Sequence, residues 1–99
     1  MAEWHYAQEN KSEELAQLHY FTMKKRQGDQ VIEFQITVKE FATPPTGQHV
    51  RFFAEADKAV NQKSAPIVPA GWGDSALQAL ADCMRMIRQF PYDDREGQV

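Results

Sequence analysis

The amino-acid sequence predicts an α+β domain of two layers: a three-stranded antiparallel meander packed against a C-terminal helix, preceded by an N-terminal arm or short helix. Three observations predict it. Residues 71–91 carry a helix start, a helical period and a helix stop. Residues 31–41 alternate apolar and polar side chains with period two. A glycine-bearing turn stands directly before that alternation. The expected organisation is an arm over residues 1–17, one domain over 18–92 and a solvated tail over 93–99.

The helix is the clearest element. Ser75 followed by Gln78 has capping-box form, in which the hydroxyl accepts from an early backbone N–H and the amide reaches back. Asp74 adds negative charge at the positive end of the helix dipole, and Arg85 and Arg88 add positive charge near the other end. Leu77, Leu80, Met84 and Ile87 fall on one face, widened by Ala76, Ala79, Cys83 and Phe90. Gln78, Asp82, Arg85 and Gln89 lie opposite. Pro91 cannot continue the hydrogen-bond ladder and disfavours helical geometry at Phe90.

The best strand is Val31–Phe41, with Ile32, Phe34, Ile36 and Val38 on one face and Glu33, Gln35, Thr37 and Lys39 on the other. Residues 18–26 pair with it as a hairpin across Gln27-Gly28-Asp29-Gln30, where Gly28 supplies a positive φ. Strand is chosen for 18–26 because Tyr20, Phe21 and Thr22 suit a pleated surface. The competing reading is a short helix starting near Ser12. Residues 42–48 are a loop by composition. A third strand follows over 49–56, with Val50, Phe52, Ala54 and Ala56 inward and Phe53 the one large apolar residue on the wet side. Residues 57–70 read as an irregular, proline-bounded connection. The expected core sets Ile32, Phe34, Ile36, Val38, Val50 and Phe52 against Leu77, Leu80, Met84 and Ile87. Strands 18–26 and 49–56 are then the sheet edges.

Composition narrows the function classes. The chain has 99 residues, 42% hydrophobic and 25% charged, with a formal net charge of −3. That is ordinary for a soluble globule and argues against a protein held to nucleic acid by charge alone. No apolar run reaches the ~18 residues of a membrane span. The first residues lack the basic start and apolar centre of a signal peptide. One cysteine makes no internal disulfide, so the expected location is cytoplasmic.

No catalytic constellation stands out, so the expected function is a small non-enzymatic protein-interaction module with no cofactor. Its partner is another protein, a second copy included. The expected contact surface is Trp72, Ile67, Val68 and Phe53, because clustered exposed apolar residues mark binding surfaces and aromatics anchor them. The alternative is a weak nucleic-acid-binding domain using Lys24, Lys25, Arg26 and Arg51. Cys83 with a histidine is the minimal nucleophile pair, yet its mid-helix place on the apolar margin predicts a buried inert thiol. His5, His19 and His49 show no ligand spacing, so no metal is expected. Gly71-Trp72-Gly73 opens onto a helix N-terminus, but Asp74 there repels anions.

Residues 18–41 and 73–87 together resemble the HicB-type antitoxin fold, a small sheet followed by a helix. The likeness lies in Gly73-Asp74-Ser75, Ala79-Leu80, the small Cys83 and Ile87. The resemblance implies a module without catalysis that grips another protein. That family adds a DNA-binding segment after the helix; only Tyr92 to Val99 follow here, so operator binding is not carried over. The pattern also looks like that of small bacterial proteins of unknown function. A double-stranded-RNA-binding domain has a similar element order but places lysines where this sequence has Asp74, Ser75 and Ala76.

Overall fold

The structure is a computed structural model that describes residues 3–63 and 65–92. After a 3₁₀ turn at Glu3–Ala7 come strands β1 (Ala16–Gln27), β2 (Gln30–Phe41), β3 (Phe52–Ala56), β4 (Val60–Gln62), β5 (Ala65–Ile67) and β6 (Ala70–Gly73), then helix α1 (Ala76–Gln89). The α+β class stands. The sheet has four antiparallel strands rather than three, in the order β1-β2-β3-β6, and β4 and β5 form a separate two-stranded ribbon. Residues 57–70 are therefore not an irregular connection. The expected tail, 93–99, lies outside the described residues.

The β1–β2 hairpin keeps one unbroken register from Ala16↔Phe41 to Gln27↔Gln30. Gly28 has φ 60 at the first position of its two-residue turn, as a type II′ hairpin requires. Residues 16–18 are strand, so the helix considered from Ser12 is absent. The arm before it is ordered by local bonds instead. Glu13 Oε1 accepts from the backbone N–H groups of Glu9 and Asn10 at 3.1 and 3.2 Å, which holds its carboxyl below the usual range.

The core lies between β2, β3, β6 and α1. Ile32, Phe34, Ile36, Val38, Ala54, Ala56 and Val60 meet Ala79, Cys83 and Ile87, all buried. Val50 lies outside β3, and Leu77 is 75% exposed: the inward stripe of α1 centres on Ala79, Cys83 and Ile87 and is rotated away from Leu77, with Leu80 and Met84 packed at its margin. The cause is the close seat of the helix. A Cβ at Gly71 would stand 2.5 Å from the Ala79 carbonyl oxygen, and one at Gly73 would stand 2.5 Å from Gln78 Cβ. Only small residues fit such a contact, so Ala79 and Cys83 take the centre. The helix start follows the capping pattern: Ser75 Oγ accepts from Gln78 N at 3.1 Å, and Gln78 Oε1 accepts from Asp74 N at 2.7 Å.

α1 covers β6 and β3 and reaches β2, leaving β1 beside it. Lys25 ties β1 to the helix itself: its Nζ donates to the carbonyls of Ile87 at 2.6 Å and Phe90 at 2.7 Å. It thereby supplies donors and positive charge at the helix C-terminus. Partial burial lowers its pKa from the usual lysine value. Lys25→Met keeps the stem and removes the cap. It should lower unfolding free energy by about 1.5 kcal/mol in urea titrations; an unchanged midpoint would mean that the cap contributes nothing.

Candidate functional site

Strand alternation sorts the sequence-predicted site residues onto two faces. Gly71 and Gly73 face α1, so Trp72 between them points to the opposite, outer face. There it tilts against Phe53 with ring centroids 4.6 Å apart and stacks near Phe41 at 6.3 Å. This explains Phe53: its outer-face position is covered by Trp72 across the strand pair. Ile67 belongs to the other side, packed against the buried core, and Val68 is 47% exposed beyond the end of β5. The structure thus joins Phe53 with Trp72 and does not bring Ile67 into that cluster. Also, β3 is not an edge, because β6 pairs with it.

The basic residues do not gather either. Lys24 and Arg26 are exposed, whereas Lys25 alternates to the helix side and is engaged by the helix carbonyls. Arg51 stands across from Phe41 at the far end of the hairpin, its backbone oxygen accepting from Phe41 N at 2.8 Å.

Two of the three histidines converge. His19 Nε2 lies 3.1 Å from Glu40 Oε1, and His5 Nε2 lies 3.5 Å from Glu40 Oε2. The second contact lacks hydrogen-bond alignment, so both nitrogens of the buried His5 ring are without a hydrogen-bond partner. His5 also meets Trp4 edge to face at 4.1 Å. This cluster docks the N-terminal turn on the sheet. His49 is exposed elsewhere, and among the described residues no group of three ligating side chains is placed to hold a metal ion.

Cys83 is fully buried, and its thiol donates to the Pro69 carbonyl at 3.4 Å. Burial, reinforced by the Glu55 carboxylate, pushes its pKa up to about 12. The raised value favours the folded state while the thiol stays protonated. That stability is complete below the unfolded value of 9.0 and is lost as pH rises from there towards about 12. Native Cys83 should therefore resist iodoacetamide at mildly alkaline pH and react on unfolding. Above the unfolded value, Cys83→Ala should flatten the fall of stability by up to about 1.4 kcal/mol per pH unit. Rapid labelling of the folded chain would overturn this placement.

What the sequence only partly revealed is the edge of β1. Its residue pairs with β2 continue to Ala42 N donating to Leu15 O at 2.9 Å, so the odd-numbered residues turn their backbone groups to β2. The even-numbered residues from Ala16 to Arg26 turn theirs to the open side. The strand has no bulge and no proline, and between Leu18 and Met23 no acidic residue, lysine or arginine. Leu18 is 44% exposed, Tyr20 74% and Phe21 39%. The opposite edge, β6, has only four residues and runs beside α1. Among the described residues, no helix is long and apolar enough to cross a membrane. In comparisons with known proteins, the chain matches no family model, no curated protein and no solved structure at a significant level.

Proposed function

We propose that the chain is a small non-enzymatic protein-interaction module that binds through the free edge of β1. The observation that carries this reading is the edge itself. It offers twelve residues of strand, with backbone donors and acceptors on every second residue and exposed Leu18, Tyr20 and Phe21 flanking them. Natural sheets blunt such edges with short strands, bulges, proline or inward charge. Here only Lys24 to Arg26 at one end do so. An unblunted edge accepts an added strand, whose main-chain hydrogen bonds give affinity and whose side chains give selectivity. The Phe53–Trp72 pair on the outer face is a second contact surface in this reading, in line with Lys39 and Leu18 across the sheet. The HicB-type resemblance points the same way, towards a module that grips protein.

Thr22→Pro tests the reading. Thr22 directs its N–H to the open side, where proline is tolerated within the fold and blocks an incoming strand. Immobilised wild-type chain should capture binding proteins, its own labelled copy included, and Thr22→Pro should lose them while keeping its circular dichroism spectrum. An identical captured set on both would sink the reading.

A further inference from the structure

Resting on that reading, we infer that the strand added to β1 is β1 of a second copy. Two chains would join antiparallel about a two-fold axis at Tyr20, making one eight-stranded sheet with both helices on the same face.

The geometry requires an even sum of paired residue numbers. A two-fold axis perpendicular to the sheet keeps each face on its own side, and residues of one parity share a face. With Tyr20 on the axis, Leu18 pairs with Thr22 of the second copy and Ala16 with Lys24. These even-numbered residues are the ones whose backbone groups are free. On the helix side, Phe21 stands opposite His19 of the second copy, and Gln17 opposite Met23. Phe21 lies on the strip that α1 leaves uncovered.

Charge favours this register over its two even neighbours. Continuing the strand line back from Ala16 sets Glu14 opposite Arg26 of the second copy, twice by symmetry. Both are exposed, and among the described residues neither forms an ion pair within its own chain. Arg26 faces Val31 in its own hairpin, so no acid on β2 competes directly across from it. Moving the axis to Phe21 would instead set Glu13 opposite Asp29, like against like. An axis at His19 would set Glu14 opposite Lys24, which already faces Glu33 across its own hairpin, and Glu13 opposite Lys25, which the helix carbonyls already hold. The basic end that would repel a parallel neighbour meets the neutral and acidic end of an antiparallel one. A strand pair of this length runs about 40 Å.

The test is sedimentation equilibrium on the full chain at roughly 100 µM and below, since dimer content depends on concentration. The wild type is expected at twice the chain mass. Thr22→Pro is expected at the monomer mass with its fold retained. Glu14→Arg alone and Arg26→Glu alone should each weaken the dimer, and the double variant should restore it. That rescue decides the matter if Thr22→Pro fails to fold. A monomeric wild type overturns the inference, as does a dimer indifferent to all these changes. The broader reading separates cleanly. A monomeric wild type that still captures another protein, lost in Thr22→Pro, leaves the edge as a binding surface and removes only the second copy. A monomer that captures nothing removes both.

Discussion

Phe34→Ala should lower the unfolding free energy by about 4 kcal/mol, read from the midpoint of a urea transition with an unchanged slope. Phe34 is fully buried on β2, between Ile32 and Ile36 on the face that the helix covers. Its ring meets Tyr92 edge to face at 6.1 Å. Tyr92 cannot easily fall into the space left behind. It bridges Val60, and its N–H donates to Gln27 Oε1 at 2.8 Å. Met23 stands directly across on β1, but its backbone is fixed by the hairpin register. The cavity therefore stays open, and the full cost of a large-to-small change applies. Against a typical total of about 5–15 kcal/mol for a small domain, that loss removes much of the margin. Leu77→Ala is the matched control: at 75% exposure it should stay within about 0.5 kcal/mol of wild type. A large effect at Leu77 with a small one at Phe34 would mean the helix is turned the other way.

That contrast marks where the sequence is legible and where it is not. The capped helix, its stop before Pro91 and the inward row Ile32, Phe34, Ile36 and Val38 follow from spacing alone, because each depends on neighbours a few residues away. The rotation of α1 does not. A hydrophobic stripe is weighted by large residues such as Leu77, whereas the real contact is chosen by how near the helix can come to glycine backbone. β6 is hidden for the same reason: glycine is depleted in strands, so Ala70-Gly71-Trp72-Gly73 reads as a bend. The β4–β5 ribbon turns through Lys63 at φ 50, a position without the usual glycine or asparagine signal. For the candidate site, the aromatic pairing of Phe53 with Trp72 needed β6 to exist as a strand. Ile67 was separated from them once β5 joined β4. The edge position of β1 was readable from strand order, but its openness was not, since that depends on α1 sitting over β3 and β6.

Gly71→Ala should cost about 3 kcal/mol, although alanine is the better strand residue by intrinsic preference. The added carbon would stand 2.5 Å from the Ala79 carbonyl oxygen, 2.5 Å from Asp82 Cβ and 2.8 Å from Cys83 N. Two of these are helix backbone atoms, so no side-chain rotation relieves the clash. The helix must lift from the sheet, and lifting it uncovers Cys83 and Ile87, both now fully buried. Thiol labelling should therefore rise in Gly71→Ala together with the fall in stability, a coupling that simple strand weakening would not produce. Gly28→Ala separates steric cost from backbone strain. Gly28 has φ 60 with nothing within 4 Å of an added carbon, so its cost should stay near the ~1–2 kcal/mol of a left-handed residue, without faster labelling of Cys83 beyond that expected from the lost stability. If Gly71→Ala proved neutral and Cys83 stayed protected, α1 would not rest on β6. The uncovered strip beside β1, on which the proposed dimer depends, would then have to be placed elsewhere.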